Sequence, residues 1–218
     1  MHMMELVARR DEPLFLSAAA AGVLFFAVST VEIFARPGFD IYRHAISMLS
    51  LGERGWVMVA TFIISGLLVL GCAARMRSSA VGTVGPVLIG LYGVGLVIAG
   101  IFPAPAGLGF PPGTPEDRMP VMTASAVMHS IGFMVAFSAL IISCFVFARR
   151  LPHRTWLAGF SLVVGLALPV LIGLGMAGIV LTGIAFYAAA MLGWLWLGLL
   201  ALELARGRGN PRLRPNPA

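Results

Sequence analysis

Between Arg10 and Arg206 the chain is a succession of long apolar runs, most of them separated by arginines, and that alternation limits its folds more than any other feature. Six runs are long enough to cross a bilayer core of about 30 Å. They lie at about 13–35, 56–74, 80–102, 123–148, 156–174 and 179–205. Hydrophobic residues make up 59% of the chain and charged ones 11%, with a mean hydropathy of +0.96. A water-soluble domain with so little charge would not stay dispersed, so lipid is the expected solvent. The expected fold is all-α: a polytopic membrane bundle of six transmembrane helices over 13–205. A short N-terminal stretch, 1–12, precedes it, and a disordered tail, 206–218, follows.

All 15 basic residues are arginine, and the net charge is +6. They punctuate apolar runs and do not gather into one patch with stacking aromatics, which speaks against a nucleic-acid partner. Arg9, Arg10, Arg75, Arg77, Arg149, Arg150, Arg154, Arg206, Arg208, Arg212 and Arg214 fall at one set of run ends. Only Arg36, Arg43, Arg54 and Arg118 fall at the other. Positive-inside bias then puts both termini in the cytoplasm and the two long loops outside. A multi-pass place in a membrane, with this orientation, is expected. Arg9 and Arg10 ahead of an apolar run resemble a signal peptide, but the run is longer than a usual h-region and no clean cleavage site follows, so a retained span is expected.

The last two spans are separated by no charge, and Gly173, Gly175 and Gly178 offer the only obvious turn. These glycines also spell GxGxxG, which carries no nucleotide-binding meaning without a preceding strand. Pro169 is expected to kink the fifth span. The glycines of the third span, among them Gly93, Gly95 and Gly100, suit close helix packing. Cys72 and Cys144 sit in separate apolar runs and do not suggest a disulfide framework.

The polar residues concentrate on the long-loop side. In "DIYRHAISMLS", an advance of about 100° per residue puts Asp40, Arg43, His44, Ser47 and Ser50 on roughly a third of a helical circle. The periodicity predicts a short amphipathic interfacial helix, with Asp40 as its N-cap and Gly52 beyond its end. Asp40, His44 and Ser47 also stand at i, i+4 and i+7. They invite an acid–base–nucleophile reading beside the plainer one of a capped, wetted helix face. The second long loop holds six prolines, Pro103, Pro105, Pro111, Pro112, Pro115 and Pro120, which predict a stiff, extended cover. Glu116, Asp117 and Arg118 lie near its far end. His129 falls nearly two turns into the fourth span, with Ser125 one turn before it. An ionisable group at that depth is expected to face the bundle interior or a cavity. Glu32, near the end of the first span, belongs to the same layer.

The candidate site is therefore an outward-opening polar pocket drawn from Glu32, Asp40, Arg43, His44, Ser47, Asp117, Ser125 and His129. Two His and one or more carboxylates could make a zinc site. No H-x-x-x-H or H-E-x-x-H pair occurs, so no metal or other cofactor is expected.

The segments "HAISMLSLGERGW" (44–56), "AGIFPAPAGLGFPPGTP" (99–115) and the His129 helix, in this order on six spans, resemble the DUF998 family. The resemblance covers roughly 13–205 and implies a bacterial or archaeal multi-pass membrane protein of unknown function. The family pattern has an acidic residue shortly after Phe-Pro, where this chain has Ala104. It also has Ser-x-x-Gly-x-x-His on the fourth span, which "TASAVMH" matches in part. A fainter likeness, in the I-S-x-x-x-x-G segment, is to Frag1/DRAM/Sfk1-type membrane proteins.

Two functions fit these residues. One is a non-enzymatic accessory or sensing protein whose pocket binds a lipid or small amphiphile. The other is a membrane-embedded hydrolase or transferase acting on lipid through His44 or His129, with or without a metal. Membrane lipids are the expected partners, and a homo-oligomer or a membrane-protein partner is compatible with small residues on every span.

Overall fold

The computed structural model describes residues 2–77, 82–151, 155–178 and 181–208, with side chains for 14–206 of these. The side chains of His2, Arg9 and Arg10, residues His153, Arg154, Arg212 and Arg214, and the expected tail from 209 onward lie outside the described residues. Six α-helices account for the apolar runs: α1 (His2–Ala35), α2 (Gly55–Arg77), α3 (Val84–Ile101), α4 (Ala124–Arg150), α5 (Thr155–Met176) and α6 (Thr182–Arg208). All six contain stretches long and apolar enough to cross a membrane, and the described residues form no strand. Helix α6 continues to Arg208, into the first residues of the expected tail. The turn between α5 and α6 includes Gly178, whose φ of +65° only glycine adopts readily.

Each helix packs on its neighbours in the chain, and α1 packs on α6, closing the six into a ring. Large apolar side chains also cover the outside: Val23 and Phe26 on α1, Leu67 on α2, Ile142 on α4, Leu166 and Val170 on α5. A helix apolar on all sides is stable only where both its core and its outer surroundings are apolar. The chain is thus a multi-pass membrane protein.

Because lipid is as apolar as leucine, helices in a bilayer are held by close contact and interhelical hydrogen bonds. Glycines provide the contact. A Cβ built on Gly95 would lie 2.5 Å from the Gly132 carbonyl oxygen, and one on Gly132 would lie 2.9 Å from that of Gly95. Gly66 and Gly93 stand in the same reciprocal relation between α2 and α3, at 2.7 and 2.8 Å. Hydrogen bonds supply the rest. Ser17 Oγ donates to the Leu68 carbonyl at 2.8 Å, the Thr30 and Tyr187 hydroxyls meet at 2.8 Å, and Trp196 Nε1 donates to Ser161 Oγ at 2.9 Å. Cys72 and Cys144 are buried and free, in different helices.

The segment 40–50 is not the continuous amphipathic helix that periodicity suggests. A hydrogen-bonded turn follows Asp40, Ala45 is extended, and a 3-10 helix runs over Ile46–Ser50. Asp40 does cap the first turn, its Oδ1 accepting the Tyr42 amide at 2.8 Å. Gly52 takes φ +73° beyond the 3-10 helix. The pattern misleads because Ile46, Met48, Leu49 and Ser50 are all buried, so the segment has no single wet face for an α-helical period to describe.

Gly95→Leu or Gly132→Leu drives a side chain into the facing backbone. Each should lower stability by about 1–3 kcal/mol. Gly159→Ala, where a Cβ meets nothing within 4 Å, should be neutral or mildly stabilising. Thermal unfolding in detergent, followed by tryptophan fluorescence, distinguishes the two cases.

Candidate functional site

The long-loop end of the ring is built around two polar centres. The first begins with Glu32 and Arg36, one helical turn apart at the end of α1. Glu32 is 2% exposed and meets Arg36 at 2.8 Å and Arg54, at the start of α2, at 2.6 Å. Arg36 also donates to the Leu51 carbonyl at 2.6 Å and the Leu49 carbonyl at 2.8 Å. One buried carboxylate and one buried guanidinium thus fix the first long loop between α1 and α2.

The second centre is His44. Its Nδ1 accepts the Asp40 backbone N–H at 2.9 Å, so its Nε2 carries the proton and donates to the Leu108 carbonyl at 2.9 Å. Leu108 takes φ +56°, and with Gly109 at +88° it forms the tip of a tight turn closed by paired hydrogen bonds between Gly107 and Phe110. Phe39 and Phe110 stand 5.4 Å from the imidazole and 5.3 Å from each other. His44 therefore joins the first long loop to the proline-rich one. With both ring nitrogens engaged, it has no lone pair to deprotonate Ser47, and the Asp40 carboxylate does not touch it. The acid–base–nucleophile arrangement does not form.

Beneath this double loop lies a cavity of about 330 Å³ reached by all six helices. Ala45, Ile46 and Ser47 roof it. Phe25, Phe62, Tyr92 and Trp194 occupy its deep end as a chain of ring contacts at 5.2–5.5 Å. Phe133, Phe137 and Phe186 line the side of α4 and α6. Met134 on α4 and Met176 at the end of α5 also line it while being 54% and 68% exposed, so the cavity reaches the lipid-facing surface between these helices.

His129 is the polar feature of the wall. Its Nδ1 lies 2.8 Å from the Phe102 carbonyl oxygen and 3.2 Å from that of Ala99. Carbonyls only accept, so Nδ1 carries the proton and ties α4 to the end of α3. Ser125 adds a longer contact, 3.4 Å, to the Pro103 carbonyl. Nε2 has no partner among the described residues.

Of the eight residues expected to converge, Ser47 and His129 line the cavity. Glu32 and His44 are buried in the two centres above. Arg43 reaches the Glu116 carbonyl at 3.4 Å, Asp117 is exposed, Asp40 serves a local backbone contact, and Ser125 contacts the Pro103 carbonyl of the proline-rich loop. Among the described residues no three of His, Cys, Asp and Glu come together as a metal-binding group. The aromatic wall was hidden in the sequence, because apolar positions on a helix that is apolar all round do not declare which face is interior. The Glu32–Arg36 spacing was a legible signal for the ionic centre.

A six-span membrane bundle with a capped, laterally open cavity is thus the class that fold and site define. The family described as "Protein of unknown function (DUF998)" matches residues 19–203, and the chain belongs to it. Comparison with curated proteins and with solved structures returned no match.

Glu32→Ala strands the buried Arg36 and should cost about 3–5 kcal/mol. Arg54→Ala removes a partner that is 53% exposed and should cost less than about 1 kcal/mol. Similar losses for the two variants in chemical denaturation would contradict this division.

Proposed function

We propose that the cavity binds a lipid-derived or other small amphiphilic molecule drawn sideways from the bilayer, in an accessory or sensing role without catalysis. The observation that carries this reading is the cavity itself: aromatic walls, a small polar group of Ser47, His129 and Ser130 towards the loops, and a side open to lipid. Binding cavities of small ligands typically measure about 300–1,000 Å³ and are apolar with a few placed polar groups. A volume of about 330 Å³ suits a single chain or a small amphiphile better than a whole two-chain phospholipid.

Orientation belongs to the same proposal. The excess of arginine at the short-loop end supports cytoplasmic termini, a cavity in the outer half of a prokaryotic plasma membrane, and a loop cover facing outward. For lipid hydrolysis or transfer, His44 is committed to structural hydrogen bonds, and His129 has no carboxylate among the residues that share its cavity.

Ala190 lines the cavity from α6 and is 7% exposed, so Ala190→Phe fills space without removing a hydrogen bond. Purified in native-membrane discs and analysed by lipid mass spectrometry, the wild type should carry a lipid species enriched over the surrounding bilayer. Ala190→Phe should lose that enrichment at least tenfold while keeping its melting temperature. Equal enrichment in both, or none in the wild type, would contradict ligand binding in the cavity.

A further inference from the structure

We infer that the cavity selects a neutral, hydroxyl-bearing ligand, such as a prenol-type or other lipid alcohol, whose O–H donates to His129 Nε2. This rests on the binding reading above and names the ligand's chemistry. The cavity wall contains no Asp, Glu, Lys or Arg. The nearby ionic centre offers nothing to a charged headgroup either. Both carboxylate oxygens of Glu32 are taken by arginines, and Arg36 is spent on Glu32 and two carbonyls. A phosphate or ammonium headgroup would therefore be desolvated without a counter-charge, which costs far more than an apolar wall returns.

Beside His129 the wall offers two hydrogen-bond acceptors at a defined place. The two carbonyls that hold His129 Nδ1 fix its tautomer, so Nε2 presents a lone pair and acts as an acceptor. Ser130 spends its hydroxyl proton on the Ala126 carbonyl at 2.9 Å and is left as a second acceptor nearby. A ligand that pairs with these two acceptors must bring a proton of its own, which an alcohol does and an ether, ester or ketone does not; the Ser47 hydroxyl at the same end pairs with a donor or an acceptor and so does not discriminate between them. At the deep end, Tyr92 is 2% exposed, lines the cavity, and its hydroxyl has no partner among the described residues. A donor that opens onto the cavity can pair there, so a second oxygen on the ligand at that depth would add affinity.

Three probes sharing one chain isolate the head: farnesol, its methyl ether and farnesyl phosphate, each titrated against the purified full chain in neutral-lipid nanodiscs. Farnesol should bind roughly tenfold more tightly than the ether, the worth of one buried hydrogen bond, and more tightly still than the phosphate. His129→Ala should lower the alcohol-to-ether affinity ratio from roughly tenfold to about one, whatever the change in the ether's own affinity. That is a readout that loss of a purely structural histidine would not produce. The wild-type alcohol-to-ether ratio tests the idea even if that variant folds poorly. Equal binding of all three heads, tightest binding of the phosphate, or an alcohol preference that survives in His129→Ala would overturn the inference while leaving the cavity as a binding site. Binding of none of the three, together with no lipid enrichment in the wild type, would instead remove the binding reading on which it rests.

Discussion

A bilayer supplies no hydrogen bonds, and the architecture of this protein follows from that deficit. Every backbone amide and carbonyl in the apolar layer must find a partner within the chain, so the six runs become helices. The same demand governs the polar side chains that remain. Arg36 satisfies itself on Glu32 and on the carbonyls of Leu49 and Leu51, while His44 joins Asp40 to Leu108. His129 ties α4 to the exposed carbonyls at the end of α3, those of Ala99 and Phe102. These residues look reactive in a list of side chains, yet most of their capacity is spent on holding irregular backbone where water is scarce.

Against that background, polar atoms left over acquire meaning. His129 Nε2 and the Tyr92 hydroxyl have no partner among the described residues, and both residues line the same cavity. The close helix contacts explain why space remains beside them. Gly66 with Gly93 and Gly95 with Gly132 draw α2, α3 and α4 tightly together, whereas the wall between α4 and α5 carries Met134 and Met176, flexible side chains open to lipid. Methionine adapts its shape readily, which suits a lateral opening through which a chain-like molecule would pass. Phe39, His44 and Phe110 close the loop end above, so the membrane side is the more accessible route.

The six-helix fold was legible from apolar run lengths, since nothing but a helix satisfies its own backbone over such distances in lipid. The place of His129 within the fourth helix, buried on its inner side, was legible for the same reason. The interior layout was not. Glu32, His44 and His129 lie in one layer along the sequence, but whether they meet depends on how the ring closes, which run lengths do not encode. His44 failed as a base because its partners are backbone groups, one of them 64 residues away at Leu108. Helical periodicity misjudged 40–50 because the proline-rich loop, α1, α2 and α6 enclose that segment from several sides, leaving no polar face to repeat.

The central claim is that the cavity beside His129 holds a ligand taken from the membrane. A cryo-electron microscopy structure of the full chain, reconstituted with extracted host-membrane lipid, tests it most directly. The account predicts elongated density between α3, α4 and α6, with one end within hydrogen-bonding distance of His129 Nε2 and its length along Phe133, Phe137 and Trp194. A cavity collapsed by inward rotation of Phe133 and Phe186, with His129 Nε2 bonded to a protein group, would contradict it.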